Sequence, residues 1–174
     1  KLTLAQPFTD HMILQRDQPN RVWGSAPAGE KVSGEFPWGK VSTKADENGS
    51  WTLDLPPGGA ESKPQTITVR TSSESIQLKD ILIGDVWMCS GQSNMRWMLK
   101  DTKEAKQSIA DSANSQLRIF NLAATIHPGG AKFSLLKLRN TFADNLYESD
   151  GWQIAGPDSV PNFSGVAYHF GRHL

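Results

Sequence analysis

The sequence has one cysteine, no excess of charge of either sign and no long apolar run. Cys89 alone cannot form an internal disulfide or a multi-cysteine zinc site. Lys and Arg number 18, as do Asp and Glu, so the basic surface typical of a phosphate-backbone binder is missing. No stretch approaches the roughly 20 apolar residues that a membrane-spanning helix needs. These absences argue against a nucleic-acid partner and against insertion into a membrane.

The hydrophobic content is that of a folded protein. The 174 residues are 37% hydrophobic and include six tryptophans, which is enough for one ordinary domain or two small ones. The sequence begins at Lys1 rather than at methionine, which fits removal of a signal peptide and fits a trimmed chain equally well. The expected location is secreted, periplasmic or lysosomal.

Residues 1–80 show short stretches with a period of two, separated by turn residues. Trp51, Leu53 and Leu55 alternate with polar residues, as in a strand with one buried face. Asn48-Gly49 is a dipeptide typical of tight hairpins. Many short strands at such spacing predict an antiparallel β-sandwich over residues 1–80.

The pattern changes at Asp80. Residues 81–89 form a nearly continuous apolar run, which predicts a strand buried on both faces, as in a parallel sheet. A helix is predicted to begin near Ser93, and a second helical segment at 103–112 precedes a short apolar strand at 117–122. Strand, helix and strand in this order predict a βαβ unit.

Residues 81–174 are therefore predicted to be the first part of an α/β domain, which makes the whole chain an α/β protein. Ser164 is a candidate cap for a last helix, which carries Val166, Phe170 and Leu174 near one face. Two strands are too few for a complete parallel sheet, so we expect this domain to be truncated.

Ser93 follows a glycine at the predicted strand-to-helix turn. A serine hydroxyl is a weak nucleophile, so it needs a base within reach and N–H groups near the developing oxyanion. Gly91 would let the backbone turn sharply, and the start of a helix offers unpaired N–H groups. Taken alone, a glycine before a serine is weak support, because serines that only cap helices are common.

The longer string from Gly84 to Met95, GDVWMCSGQSNM, resembles the nucleophile block of the sialate O-acetylesterase family, a branch of the SGNH hydrolases. Further similar stretches cover nearly the whole chain: 8–16 (FTDHMILQR), 22–24 (VWG), 151–153 (GWQ) and 163–171 (FSGVAYHFG).

This resemblance implies a β-sandwich accessory domain followed by a flavodoxin-like hydrolase domain. It implies that Ser93 attacks the acetyl ester of an O-acetylated sialic acid or related acetylated glycan, gives an acyl-enzyme, and contributes its backbone N–H to the oxyanion. Gly91, Gln92 and Asn94 would orient the turn or touch substrate; alternatively, the Gln92 and Asn94 side chains only satisfy nearby backbone groups. No metal or organic cofactor is implied.

The family's catalytic histidine follows an aspartate near the end of the complete catalytic domain. His127 is followed by proline but lacks that aspartate, and His11, His169 and His173 are more readily explained as non-catalytic. We therefore expect the remaining carboxyl-terminal catalytic polypeptide to be a partner of this chain. Residues 1–174 alone are predicted to hydrolyse nothing.

Three further groups of residues have a structural interpretation beside a functional one. Asp85 is predicted to make a strand-end hydrogen bond rather than to act as an acid. Cys89 is predicted to be a buried strand residue rather than a nucleophile. Trp87 and Trp97 are predicted to pack rather than to form a sugar-stacking wall.

Two rival functions remain open from the sequence. One is deacetylation of a plant polysaccharide such as acetylated xylan, because the nucleophile turn indicates ester chemistry rather than the identity of the sugar. The other is a non-catalytic carbohydrate-binding fragment, in which residues 1–80 bind glycan and the remainder is inert.

Overall fold

The computed structural model describes residues 1–124 and 147–174. The described chain is mostly β-strand with few short helices, an α/β-type fold, and none of its helices is long and apolar enough to span a membrane. The strands are β1 (Thr3–Leu4), β2 (Ile13–Gln15), β3 (Asn20–Ser25), β4 (Lys31–Phe36), β5 (Gly39–Lys44), β6 (Ser50–Leu55), β7 (Glu61–Arg70), β8 (Ser75–Gly84), β9 (Asn114–Phe120), β10 (Ala123–Ala124), β11 (Tyr147–Glu148) and β12 (Trp152–Ala155). The helices are α1 (Ala105–Ala110) and α2 (Gly165–Arg172), with 3₁₀ turns at Ser93–Arg96 and Leu99–Asp101.

Strands β1 to β8 form two sheets, of three strands (β1-β3-β6) and of five (β2-β8-β7-β4-β5). All of their pairings are antiparallel except that of β2 with β8. The predicted alternation in β6 is confirmed, because Trp51, Leu53 and Leu55 are buried while the residues between them are exposed. A period of two therefore places one row of side chains inside.

The inward rows of both sheets belong to one hydrophobic cluster. Val22 of β3 and Leu53 of β6 share it with Val32 of β4 and with Ile67 and Val69 of β7. Each of these side chains is at most 1% exposed. Burial of one such side chain contributes roughly 1.5–3 kcal/mol, so this cluster is the main source of stability in the first half of the chain.

The predicted Asn48-Gly49 hairpin is wrong. Gly49 has a φ of +81°, as expected for a turn, but β5 and β6 belong to different sheets. Asp46 Oδ1 accepts hydrogen bonds from the N–H groups of Asn48 and Ser50, at 2.9 and 2.8 Å. The dipeptide specifies a reversal of the chain, and the pairing of the strands that follow depends on the core instead.

The apolar run after Asp80 is strand only as far as Gly84. Ile81, Leu82 and Ile83 are buried, whereas residues 85–94 are exposed and outside any strand. The predicted buried strand reaching Cys89 is therefore wrong. The reason is that the neighbours of β8 end there: β2 stops opposite Gly84, and β7 begins opposite Ile83. Strand β8 also runs across position 80, and the division into domains at that position stays a prediction.

The second region contains α1, the antiparallel β9–β12 pair and α2. Its cluster of buried residues consists of Leu99, Ile119, Ala155, Val160 and Tyr168. The predicted βαβ unit is wrong for the described residues, because β8 and β9 belong to different sheets and β9 pairs antiparallel with β12.

Two of the three helices predicted in the second region are confirmed, with α1 inside the predicted 103–112 segment. Helix α2 begins after Ser164, whose Oγ accepts a hydrogen bond from the Ala167 N–H at 3.3 Å. A side-chain acceptor at this position satisfies one of the free N–H groups of the first helical turn.

Candidate functional site

Ser93 opens a single 3₁₀ turn, and the eight residues between the end of β8 and this turn have no regular structure. Within the turn, the Met95 N–H donates to the Gln92 carbonyl at 3.0 Å. The N–H groups of Ser93 and Asn94 donate to no acceptor among the described residues. The predicted helix is wrong in extent, since this turn has four residues. Its value for chemistry lies in two local N–H groups rather than in a helix dipole.

Gly91 is needed for close approach rather than for a left-handed backbone. It is not among the residues with positive φ, but a Cβ at this position would lie 2.6 Å from Met95 Cγ. The Gln92 side chain does not cap the turn, and neither it nor the Asn94 side chain bonds to another described residue. Both side chains are exposed beside Ser93.

The segment after the turn is attached to the start of α2. The Gly165 N–H donates to the Trp97 carbonyl at 2.8 Å, and Met98 forms an isolated bridge with Ser164. Trp97 is 58% exposed, and its Nε1 donates to the Asp101 carbonyl at 2.9 Å. The cap of α2 and the segment that follows the Ser93 turn therefore hold each other in place.

The two tryptophans predicted to pack do so only in part. Trp87 meets Phe170 edge to face, with ring centroids 5.3 Å apart, yet 60% of it is exposed. Large exposed apolar side chains are frequent in the segments on either side of Ser93 and in the last ten residues: Val86, Trp87, Met88, Trp97, Met98, Val166, Phe170 and Leu174. The contact between Trp87 and Phe170 joins two of these segments, and an exposed apolar patch marks a place where another molecule or segment binds.

Asp85 and Cys89 lie between β8 and Ser93. The Arg16 Nε donates to Asp85 Oδ1 at 3.0 Å, which confirms the predicted strand-end hydrogen bond and raises the pKa of Arg16. The prediction for Cys89 is wrong, because this thiol is free and exposed. Its burial depended on a strand that in fact ends at Gly84.

No candidate base contacts Ser93 among the described residues. His169 stacks edge to face on Tyr168, with ring centroids 5.4 Å apart, and His173 ends α2. His127 lies outside the described residues. The same part of the chain contains no group of three or more His, Cys, Asp or Glu that could hold a metal ion.

His11 forms the one hydrogen-bonded His–Asp pair of the described chain, with Nδ1 2.6 Å from Asp80 Oδ2. Both oxygens of that carboxylate are also bound by Arg118, at 2.6 and 3.1 Å. The Arg118 side chain is 2% exposed, and its hydrogen bonds lower the pKa of Asp80. Asp80 lies within β8, four residues or about 13 Å before Gly84, where the chain leaves the strand toward Ser93. This cluster joins β9 to the two-sheet region.

A cleft of about 310 Å³ lies against the β9–β12 pair. Its lining is mainly polar, with Asn121, Asp150, Gln153 and Asp158 beside the half-buried ring of Phe163. No sequence pattern indicated this cleft, because its residues come from three separate segments and match no motif.

Comparisons with known proteins agree on one kind of enzyme. No family model matches the chain. Sialate O-acetylesterase from Rattus norvegicus is 32% identical over 184 residues, and that from Homo sapiens is 27% identical over 181. Both alignments cover 98% of this chain, but only 32% and 34% of the relative, so the chain spans about a third of their length. The crystal structure of a carbohydrate acetylesterase from Xanthomonas citri matches with a TM-score of 0.83 and 30% identity, over 99% of this chain and 37% of that one.

Proposed function

We propose, from the confirmed resemblance of this chain to the sialate O-acetylesterases over nearly its whole length, that it carries the nucleophile of a serine esterase acting on acetylated sugars. The observation that carries the proposal is the exposed Ser93 on a turn whose first two N–H groups are unpaired. By the names of its relatives, the substrate is an O-acetylated sialic acid. A secreted, periplasmic or lysosomal location stays a prediction.

The reaction follows from what each group can do. Ser93 Oγ attacks the acetyl carbonyl carbon while a base takes its proton, and the carbonyl oxygen becomes an oxyanion. In this proposal the unpaired N–H groups of Ser93 and Asn94 donate to that oxygen, each such donor being worth about 100- to 1,000-fold in rate. Collapse breaks the ester bond and releases the sugar hydroxyl, and water then hydrolyses the acyl-enzyme to acetate.

The base belongs, in this proposal, to a histidine and aspartate on polypeptide outside these residues. Two observations support it: Ser93 has no basic partner among the described residues, and the relatives are about three times as long. The exposed apolar surface around Trp87 and Phe170 gives such polypeptide a place to pack. The two sheets would then be an accessory β-sandwich, and the second region the start of an SGNH-type hydrolase domain.

Replacement of Ser93 tests the proposal in a full-length protein that contains this sequence. Ser93→Ala is expected to lower the rate of acetate release from O-acetylated sialic acid by at least about 1,000-fold, because the attacking atom is removed. The melting temperature is expected to stay the same, since the residue is exposed. Ser90→Ala, an exposed serine three residues earlier, is the matched control.

Retained acetate release by Ser93→Ala would refute the proposed nucleophile. Residues 1–174 alone are expected to release no acetate above background. Ser93-dependent turnover by that chain would refute the assignment of the base to other polypeptide. Glycan binding without any hydrolysis in the full-length protein would favour the carbohydrate-binding alternative.

A further inference from the structure

The β9–β12 pair has two faces with different partners. On one face, Arg118 binds Asp80, and Trp152 donates from Nε1 to the Pro7 carbonyl at 2.9 Å. The other face carries Ile119, with Gln153 paired opposite it, and both line the cleft. Because side chains alternate along a strand, the ties to the two-sheet region and the cleft lining occupy opposite sides of one ribbon.

The facing wall of the cleft is the loop at residues 158–163. Ser159 Oγ donates to the Ile154 carbonyl at 2.7 Å, and the Phe163 carbonyl accepts from the Leu99 N–H at 2.9 Å. Val160, within the same loop, is fully buried. The loop is thus held by contacts of its own, so both walls of the cleft are formed before any ligand binds.

Four polar side chains of the lining lack a partner. The side chains of Asn121, Asp150, Gln153 and Asp158 make no hydrogen bond to another described residue. Amide groups donate and accept, and carboxylates accept, which together match the hydroxyl groups of a sugar. The Phe163 ring and Ile119 supply apolar surface for the C–H face of a pyranose.

We propose that this cleft is a subsite for a neutral sugar unit of the acetylated glycan. The proposal deepens the proposed function and rests on it for the class of ligand. The volume lies at the lower end of the roughly 300–1,000 Å³ of ligand pockets, which suits one or two sugar rings.

The negative charge of the lining favours neutral sugars over acidic ones. Asp150 and Asp158 bring negative charge, and no lysine or arginine is among the described residues that line the cleft. The nearby Lys100 is engaged, because its Nζ donates to Asn162 Oδ1 at 2.8 Å. A sugar carboxylate or a phosphate would meet repulsion without a compensating cation.

The subsite is within reach of the nucleophile along one oligosaccharide. Leu99, which is bonded to the Phe163 carbonyl, follows Ser93 by six residues. Six residues span at most about 20 Å, a distance that a short glycan covers. The neutral unit in the cleft is accordingly a neighbour of the unit that carries the acetyl ester.

Binding of three probes to the 174-residue chain tests the proposal by calorimetry. Lactose and xylotriose are the neutral probes, and the methyl glycoside of N-acetylneuraminic acid is the anionic one. We expect at least one neutral probe to bind at least tenfold more tightly than the anionic probe. Asn121→Ala and Gln153→Ala should each weaken neutral binding at least about threefold, as loss of one hydrogen bond predicts.

The matched control is Gln77→Ala, which should leave binding unchanged, because this exposed glutamine is on β8, in a different sheet from β9 and β12, and does not line the cleft. The proposal is overturned if neither neutral probe binds, if the anionic probe binds as tightly, or if both cleft variants bind like the parent chain. Equal melting temperatures of variants and parent exclude unfolding as the cause of a loss.

Failure of this proposal and failure of the proposed function are distinguishable. Binding requires no hydrolysis, so a negative result with all probes leaves the Ser93→Ala measurement untouched. Conversely, acetate release that survives Ser93→Ala removes the proposed nucleophile while sugar binding by the cleft still stands.

Discussion

The two-sheet region buries its apolar side chains, whereas the segment carrying Ser93 exposes them. Val22, Val32 and Val69 of the sheets have no exposed surface, whereas Trp87 and Met88 are 60% and 93% exposed. Both stretches are rich in apolar residues, so composition does not explain the difference. Strands within the sheets have neighbouring strands beside them. Residues 85–94 come after the end of β8, where the pairing with β2 and β7 has stopped, so no neighbouring strand of the described chain covers them. The two-sheet region has a core of its own, whereas the segment carrying Ser93 leaves its apolar side chains exposed.

The largest change in stability is expected in the core of the two-sheet region. Leu53 is 1% exposed, so Leu53→Ala removes buried methyl groups and leaves a cavity. The free energy of unfolding should fall by about 2–5 kcal/mol. Urea unfolding followed by tryptophan fluorescence measures this change. A loss below about 1 kcal/mol would mean that this core is not the main source of stability.

The ion pair that joins the second region to the sheets comes next. Asp80→Asn removes the charge that faces the buried Arg118 guanidinium, and we expect a loss of roughly 2–4 kcal/mol. Glu35→Gln, which breaks exposed ion pairs to Lys40 and Arg70, is the control and should cost at most about 1 kcal/mol. Similar losses in the two variants would contradict a special role for the Asp80 cluster.

The Asp80 cluster also predicts a pH dependence. Its hydrogen bonds to Arg118 hold the folded-state pKa of Asp80 below the ordinary carboxyl value. A lowered folded-state pKa gives stability that is present above the unfolded-state pKa and is lost as the pH falls through the folded-state value. The stability difference between the parent chain and Asp80→Asn should therefore shrink in acid. A difference independent of pH from 7 to 2 would contradict the ionic explanation.

A smaller effect is expected at the cap of α2. Ser164→Ala removes the acceptor of the Ala167 N–H and should cost about 1 kcal/mol. Ser164→Asn keeps a capping side chain and should restore most of the loss. Thermal unfolding monitored by circular dichroism distinguishes the two variants.

The smallest effect is expected on the exposed segment. Met88→Ala should change the free energy of unfolding of this chain by no more than about 0.5 kcal/mol, since its side chain is already in water. Cys89 should react with iodoacetamide without denaturant, because it is exposed. Protection of Cys89 would show that the segment is covered, and it would remove the contrast between the two regions.

Local patterns predicted the elements that depend on local physics. The alternation at Trp51–Leu55, the α1 segment and the Ser164 cap all follow from periodicity or from one side chain. The extent of β8 and the pairing after Asn48-Gly49 depend on which strands lie alongside, and no local pattern contains that information.

The candidate site likewise has one part that a local motif predicts and other parts that depend on contacts between distant residues. The motif names Ser93, and its roles as nucleophile and as donor stay predictions. The Asp80–Arg118 pair joins residues 38 positions apart, and the cleft combines three segments, so neither was visible in the sequence. Contacts between distant residues need the fold, whereas a nucleophile turn can be recognised from a dozen consecutive letters.

The parallel pairing of β2 with β8 has a consequence for how the chain folds. Ile13 of β2 pairs with Leu82 of β8. This pairing can therefore form only after a loop of almost seventy residues closes. Closing long loops is slow, because entropy is lost before the contacts that reward it are made. On a ribosome, the first fifteen residues would emerge long before their partner does. We expect the pairing of β2 with β8 to be among the last parts of the two-sheet region to become protected from hydrogen exchange.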